Sequence, residues 1–160
     1  MPKPTVTPPP APSIRKARAA DLPAVLAIER TQFTTPWTLD HFEAELLNSF
    51  SHFYVAETRE GGSLAGFMIF WRLDSELELH KIAVSPTCLR RGYGASLLDF
   101  FVATARSWHC RQALLEVRAS NKAAIRLYET NHFQCIGRRR DYYSHPSEDA
   151  LIFRWVIETD

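Results

Sequence analysis

The run Ile82-Ala83-Val84-Ser85-Pro86-Thr87-Cys88-Leu89-Arg90-Arg91-Gly92-Tyr93-Gly94-Ala95-Ser96-Leu97-Leu98 constrains the fold more than any other part of this chain. A β-type segment enters a short Pro-bearing turn, passes an Arg-Arg-Gly-x-Gly loop and opens an amphipathic helix. Two of the six glycines stand one residue apart at that opening. A helix start presents unpaired N–H groups and the positive end of the dipole, which suits a phosphate. Glycine removes the Cβ atoms that would hold phosphate oxygens away, and successive N–H groups form an anion-binding nest. Arg90 and Arg91 add positive charge beside it. The expected ligand therefore carries a pyrophosphate. The loop is not a Walker A loop, because no Gly-Lys-Ser/Thr follows. It also lacks the third glycine of a dinucleotide fingerprint, Leu97 standing three residues after Gly94.

A chain of 160 residues with 46% hydrophobic and 23% charged content makes one soluble domain with a proper core. Its net charge of +1 gives no global pull toward nucleic acid or membrane, so charge-based recognition must be local. No apolar run approaches the ~18 residues that a bilayer span needs. Prolines stand where a secretory leader would carry its apolar stretch. Cys88, Cys110 and Cys135 are odd in number and widely spaced, which argues against disulfides and a zinc site and suits a reducing cytoplasm. No pair among the six histidines has a metal-ligand spacing on a helix, so no metal is expected.

Six of the ten prolines fall in the first twelve residues, so 1–12 reads as an extended, disordered tail and 13–160 as a single domain. A short strand at 14–18 precedes a helix capped by Asp21 and a second beginning at Thr38, whose buried stripe is Leu39, Phe42, Leu46 and Leu47. Strands follow at 53–57, 64–72 and 77–84, the first two joined through a Gly61-Gly62 turn. After the glycine loop come a helix carrying Leu97, Leu98, Phe101, Val102 and Ala105, a strand at 113–117 and a helix at 121–130. Strands at 133–136 and 150–157 then flank a basic, aromatic loop. The architecture expected is α/β (α+β): a mixed central sheet of about seven strands with about four helices on its faces, ordered β-α-α-β-β-β-α-β-α-β-β.

Glu116 stands in the apolar strand Leu114-Leu115-Glu116-Val117-Arg118. Alternation sets its carboxylate on one sheet face, where it is either an ordinary strand charge paired with Arg118 or a general base. Tyr128 follows on the next helix, in Asn121-Lys122-Ala123-Ala124-Ile125-Arg126-Leu127-Tyr128-Glu129. A helical tyrosine is more often core than catalytic, yet this one follows the strand of the candidate base, and its hydroxyl suits proton donation to a leaving group.

These residues resemble the GNAT superfamily of acyl-CoA-dependent N-acetyltransferases, and most closely its RimI-type ribosomal-protein-alanine N-acetyltransferases. The similarity lies in Arg90-Arg91-Gly92-Tyr93-Gly94-Ala95, in Leu115-Glu116-Val117-Arg118-Ala119-Ser120-Asn121 with the Ala-Ile-x-Leu-Tyr-Glu that follows, in Arg138-Arg139-Arg140-Asp141-Tyr142-Tyr143, and in Pro36-Trp37. It implies the GNAT fold and acetyl-CoA as co-substrate. Backbone groups of Ile82, Ala83 and Val84 would meet the acetyl and pantetheine portion. Residues 90–95 (Arg90, Arg91, Gly92, Tyr93, Gly94 and Ala95) would hold the pyrophosphate, and Asn121 would also contact the cofactor. Glu116 would accept the proton from the substrate amine and Tyr128 donate one to the leaving thiolate.

The implied substrate is the N-terminal alanine of a small-subunit ribosomal protein in the cytoplasm, with neither membrane nor nucleic acid as partner. Trp37, Arg138, Arg139, Tyr142 and Tyr143 would bind that peptide. Arginine forks at the groove rim suit carboxylates, so acidic residues are expected soon after the alanine. Lysine side chains or small amines are the alternative acceptors, and a catalytically silent acyl-CoA-binding module is the alternative role. Asn131-His132-Phe133 departs from the family's Leu-Gly-Phe, and Asn131 is expected to take the left-handed conformation.

Overall fold

The computed structural model describes residues 1–4 and 11–157. Seven segments form one seven-stranded sheet, apolar residues alternating along β5 and running continuously through β3. The strands are β1 (Ile14–Lys16), β2 (Ser51–Glu57), β3 (Leu64–Leu73), β4 (Glu76–Val84), β5 (Gln112–Arg118), β6 (Gln134–Tyr143) and β7 (Glu148–Val156), in the spatial order β1-β2-β3-β4-β5-β7-β6. All neighbours run antiparallel except β4 and β5. The helices are α1 (Leu22–Gln32), α2 (Leu39–Leu47), α3 (Tyr93–Ser107) and α4 (Lys122–Thr130). The expected element order holds throughout.

Two hydrophobic layers cover the sheet. On one face Leu97, Leu98, Phe101 and Ala105 of α3 and Tyr128 of α4 pack on Met68, Phe70, Leu77, Leu79, Leu115 and Phe153. On the other, Leu22, Val25 and Ile28 of α1 and Phe42 of α2 pack on Phe53, Val55, Phe67, Ile69 and Ala83. The α2 stripe is narrower than expected. Phe42 is fully buried and Leu46 packs partly buried against the same layer, but Leu39 and Leu47 are 43% and 88% exposed.

Gly61 and Gly62 make the β2–β3 turn at φ +79° and +88°, a conformation that side chains resist. Of the Pro-rich segment, residues 5–10 lie outside the described residues. Pro12 is buried, and with Ala11 it lines a cavity beside Ser96, Asp99 and Phe100 of α3.

The main correction concerns residues 137–143. A strand is expected only at 133–136, with a basic, aromatic loop after it, yet β6 continues to Tyr143, paired with β7 from Gln134↔Arg154 to Tyr143↔Glu148. Its polar character reflects an edge position, where outward charges discourage further strand pairing. The turn after α4 holds a second correction. Asn131 has φ −98°, and its side-chain amide donates to the Leu127 carbonyl at 2.8 Å; His132 takes the left-handed conformation instead, at φ +69°.

Candidate active site

The sheet opens in its middle. β4 and β5 are paired from Glu76↔Gln112 to Leu79↔Leu115, and there the ladder stops, although β4 runs on to Val84 and β5 to Arg118. The cause is a β-bulge. Against β3, Ile69 faces Lys81 and Phe70 faces Leu79, which leaves His80 as an extra residue that bends β4. One extra residue also exchanges the faces of everything beyond it. Leu77 and Leu79 point to the α3–α4 layer, whereas Ala83 points to the α1–α2 layer and Ile82 and Val84 pack toward α3 and α4. Ile82, Ala83 and Val84 thus form one wall of a slit, with Glu116 to Arg118 as the other.

At the end of this slit the α3 N-terminus has the expected geometry. Gly92 caps it at φ +82°, and a Cβ there would be strained whatever the space. The first intrahelical bond runs from Ser96 N–H to the Gly92 carbonyl, so Tyr93, Gly94 and Ala95 lie in the turn whose N–H groups the helix leaves without partners. This cradle fits a pyrophosphate. Gly66 on β3 brings β4 close behind it: a Cβ at 66 would stand 2.5 Å from the Ala83 carbonyl oxygen.

The charges around the cradle differ in part from expectation. Arg90 is exposed at φ +62°, while Arg91 pairs with Glu60 at 2.7 Å. The Tyr93 side chain is buried, and its hydroxyl accepts the Arg59 N–H at 3.0 Å. Arg59 was not foreseen. Its guanidinium lies 4.4 Å from the Tyr93 ring centroid and donates to the Arg91 carbonyl at 2.9 Å, which adds a cation beside Gly92 from the β2–β3 turn. Asn121 caps α4, its Oδ1 accepting from Ala124 N–H at 3.2 Å.

Glu116 and Tyr128 come from opposite faces of the sheet. Leu115 and Val117 of β5 point into the α3–α4 layer, so alternation turns Glu116 to the other side. Tyr128 is buried within the α3–α4 layer against Phe133 and Phe153. Burial pushes its hydroxyl pKa far above the ordinary tyrosine value, with a smaller push from Tyr143. Tyr143 is itself raised to about 12 by burial and then by Glu116. Two side chains on opposite faces act on one molecule only where the sheet is open.

Around Glu116, Arg139 Nε lies 2.8 Å from Oε1. The charge of the same carboxylate pushes the Tyr142 phenol upward. Arg138 pairs with Asp149 at 2.8 Å, and Arg118 pairs with Glu148 at 3.4 Å while lying over the Tyr143 ring. Of the three arginines at 138–140 that would favour an acidic substrate, Arg138 and Arg139 are engaged by the chain's own carboxylates, while Arg140 is exposed.

Trp37 is partly buried, its ring tilted against Phe42 at 5.4 Å between centroids. With Phe33 it covers a feature the sequence reading missed: the buried ion pair between Glu29 of α1 and Lys81 of β4. Glu29 Oε1 also accepts the Trp37 N–H at 3.0 Å, which ties the α1–α2 connection to the bulged strand. The signal was present, since Glu29 follows Val25 by four positions in an apolar stripe and Lys81 interrupts an apolar strand. Among the described residues no group of His, Cys, Asp and Glu could hold a metal ion, and no helix is long and apolar enough to cross a membrane.

The acetyltransferase (GNAT) family model matches residues 22–133. The ribosomal protein bS18-alanine N-acetyltransferase of Escherichia coli (strain K12) is 34% identical over 147 residues, covering 91% of this chain and 97% of that protein. The N-alpha-acetyltransferase RimI of Mycobacterium tuberculosis (strain H37Rv) is 36% identical over 141 residues, covering 86% of this chain and 84% of that protein. Among solved structures, the ribosomal-protein-S18-alanine N-acetyltransferase from Escherichia coli superposes with a TM-score of 0.84 at 32% identity, covering 92% of this chain and 95% of the other.

Proposed function

Because this chain belongs to the acetyltransferase (GNAT) family, we propose that it transfers the acetyl group of acetyl-CoA to the N-terminal α-amine of a protein, the N-terminal alanine of ribosomal protein bS18. One observation supports the reading: the β4–β5 ladder ends at Leu79↔Leu115, so a molecule held in the opening could meet Glu116 from one face and Tyr128 with the α3 cradle from the other.

In this reading the N–H groups of the 90–95 loop bind the pyrophosphate and Ile82, Ala83 and Val84 line the acyl arm, with Asn121 at the mouth. Acetyl-CoA supplies an activated thioester. An α-ammonium group with a pKa near ~8 is mostly protonated at neutral pH, so the reaction needs a proton acceptor. Glu116 removes that proton, directly or through water, and the amine lone pair becomes available. Tyr128 gives a proton to the departing sulfur; burial keeps its hydroxyl protonated at every physiological pH. Trp37, Arg138, Tyr142 and Tyr143 border the peptide side. The compartment is the cytoplasm, where the acyl donor and ribosomal proteins meet.

The test is mass spectrometry of products from acetyl-CoA with an alanine-initiated peptide and with a peptide carrying an internal lysine. Acetylation should fall on the α-amine, and Glu116→Gln should slow it by ~10²–10⁴ with acetyl-CoA affinity kept. Equal modification of the lysine peptide would defeat the α-amine assignment. Parental turnover in Glu116→Gln would defeat the role of Glu116.

A further inference from the structure

Glu116 of β5 stands beside Ile152 of β7, which stands beside Gly137 of β6; one step along, Arg118, Ala150 and Arg139 form the next row. Residues two apart share a face, so Gly137 and Arg139 project on the same side as Glu116. On this face Ile152 stands directly beside Glu116, but Gly137 has no side chain and Ala150 only a methyl. Arg139 can therefore cross β7 diagonally, and its Nε meets Glu116 Oε1 at 2.8 Å. The Tyr142 ring lies 5.8 Å from the Arg139 guanidinium.

The neighbouring charges are settled elsewhere. Arg118 is held by Glu148, and Arg138 by Asp149. Arg139 is the one ion-pair partner of Glu116 among the described residues, and it reaches that partner through Nε.

We propose that Arg139 is a positioning residue for Glu116 and not a reader of the peptide. This rests on the reading of Glu116 as the proton acceptor. A glutamate side chain 29% exposed has three rotatable bonds, and unheld it samples many directions. The guanidinium fixes the carboxylate, and engagement of Oε1 leaves Oε2 to receive the proton from the amine. A base oriented by a third group is the general arrangement for proton removal at an active site. The strand geometry explains why the orienting cation comes from β6: β5 itself offers only Arg118, which Glu148 already holds.

The experiment is steady-state kinetics of the full chain with an alanine-initiated peptide, comparing Arg139→Ala, Arg139→Lys, Glu116→Gln and the double variant Glu116→Gln/Arg139→Ala, each checked for folding by thermal melting. Arg139→Ala should lower kcat by about 10- to 100-fold, with KM for acetyl-CoA within about twofold of the parent. Arg139→Lys, which keeps charge but not the fork, should recover only part of that loss. Millimolar methylguanidinium should partly restore Arg139→Ala and leave the double variant unchanged. In the Glu116→Gln background, loss of Arg139 should add nothing further. A loss confined to peptide KM, an unchanged or raised kcat, or full additivity in the double variant would overturn the positioning role while leaving Glu116 as base. Parental activity in Glu116→Gln alone would overturn both.

Discussion

The buried pair beneath Phe33 and Trp37 allows a prediction whose size can be worked out. Glu29 is fully buried; its Oε1 takes the Lys81 ammonium and the Trp37 N–H, and its Oε2 has no partner. Lys81→Met keeps an unbranched stem under the two rings and removes only the charge. The carboxylate is then stranded, and breaking a buried pair from one side costs ~3–5 kcal/mol. The stranded group can escape by taking up a proton: for an ordinary carboxyl with pKa ~4.3, protonation at pH 7 costs ~3.7 kcal/mol. The loss at pH 7 should therefore be about 3–4 kcal/mol, and at pH 5 only about 1 kcal/mol. In a domain of this size that is a melting-point drop of about 6–16 °C at pH 7. Glu29→Gln/Lys81→Met, which removes both charges and keeps an acceptor for Trp37 N–H, should recover most of it. Urea unfolding of parent, single and double variants at pH 5 and pH 7 checks all three statements. A single-variant loss below ~1 kcal/mol at pH 7, or an equal loss at both pH values, would refute the stranded-charge reasoning.

Gly66→Ala places a Cβ 2.5 Å from the Ala83 carbonyl oxygen, so β4 must move; a stability loss of ~1–3 kcal/mol and weaker acetyl-CoA binding by calorimetry are expected. Gly92→Ala meets open space apart from Arg59 Nη2 at 3.8 Å, so its cost is conformational, ~1–2 kcal/mol, and should show as lost cofactor affinity. Tyr128→Phe should lower kcat. Because burial raises the Tyr128 pKa, the parent's kcat profile should show no alkaline limb from this group below pH ~10, and a limb there that vanished in the variant would contradict its burial. Asp21 has its pKa lowered from 3.8, first by the hydrogen bond from Arg15, so its contribution to stability is present above that value and lost as pH falls below it. The urea midpoints of parent and Arg15→Met should differ at pH 6 and converge in acid.

The strand-to-helix junction at 82–98 could be read directly because backbone chemistry alone dictates it: glycine where φ is positive and free N–H groups at a helix start. Element order was readable for the same kind of reason, since periodicity is local. The readings that failed depend on partners distant in sequence. Residues 137–143 look like a charged loop until β7 supplies Asp149 and the edge position explains their polarity. Arg59 gains its place beside Gly92 only through the β2–β3 turn, and Lys81 becomes interpretable only once Glu29 is seen opposite it. The His80 bulge left no mark in composition or pattern, because one extra residue in a strand still alternates on either side of itself.

That bulge gives the molecule two interior strand margins. Along 80–84 and 116–118 the main chains diverge, and their inward backbone groups are not closed by each other as a central pair of strands would be. In an ordinary sheet such groups are found at the outer borders, where they invite foreign strands. Here a bound acyl-CoA arm would take the place of the missing ladder, so the enzyme's resistance to unfolding becomes a function of metabolite supply. A ligand at 100 times its dissociation constant adds ~2.7 kcal/mol. Amide exchange at Ile82–Val84 should then report the acyl-donor level as well as the protein's own fold, and in a starved cell the same site should be the first part of the sheet to loosen.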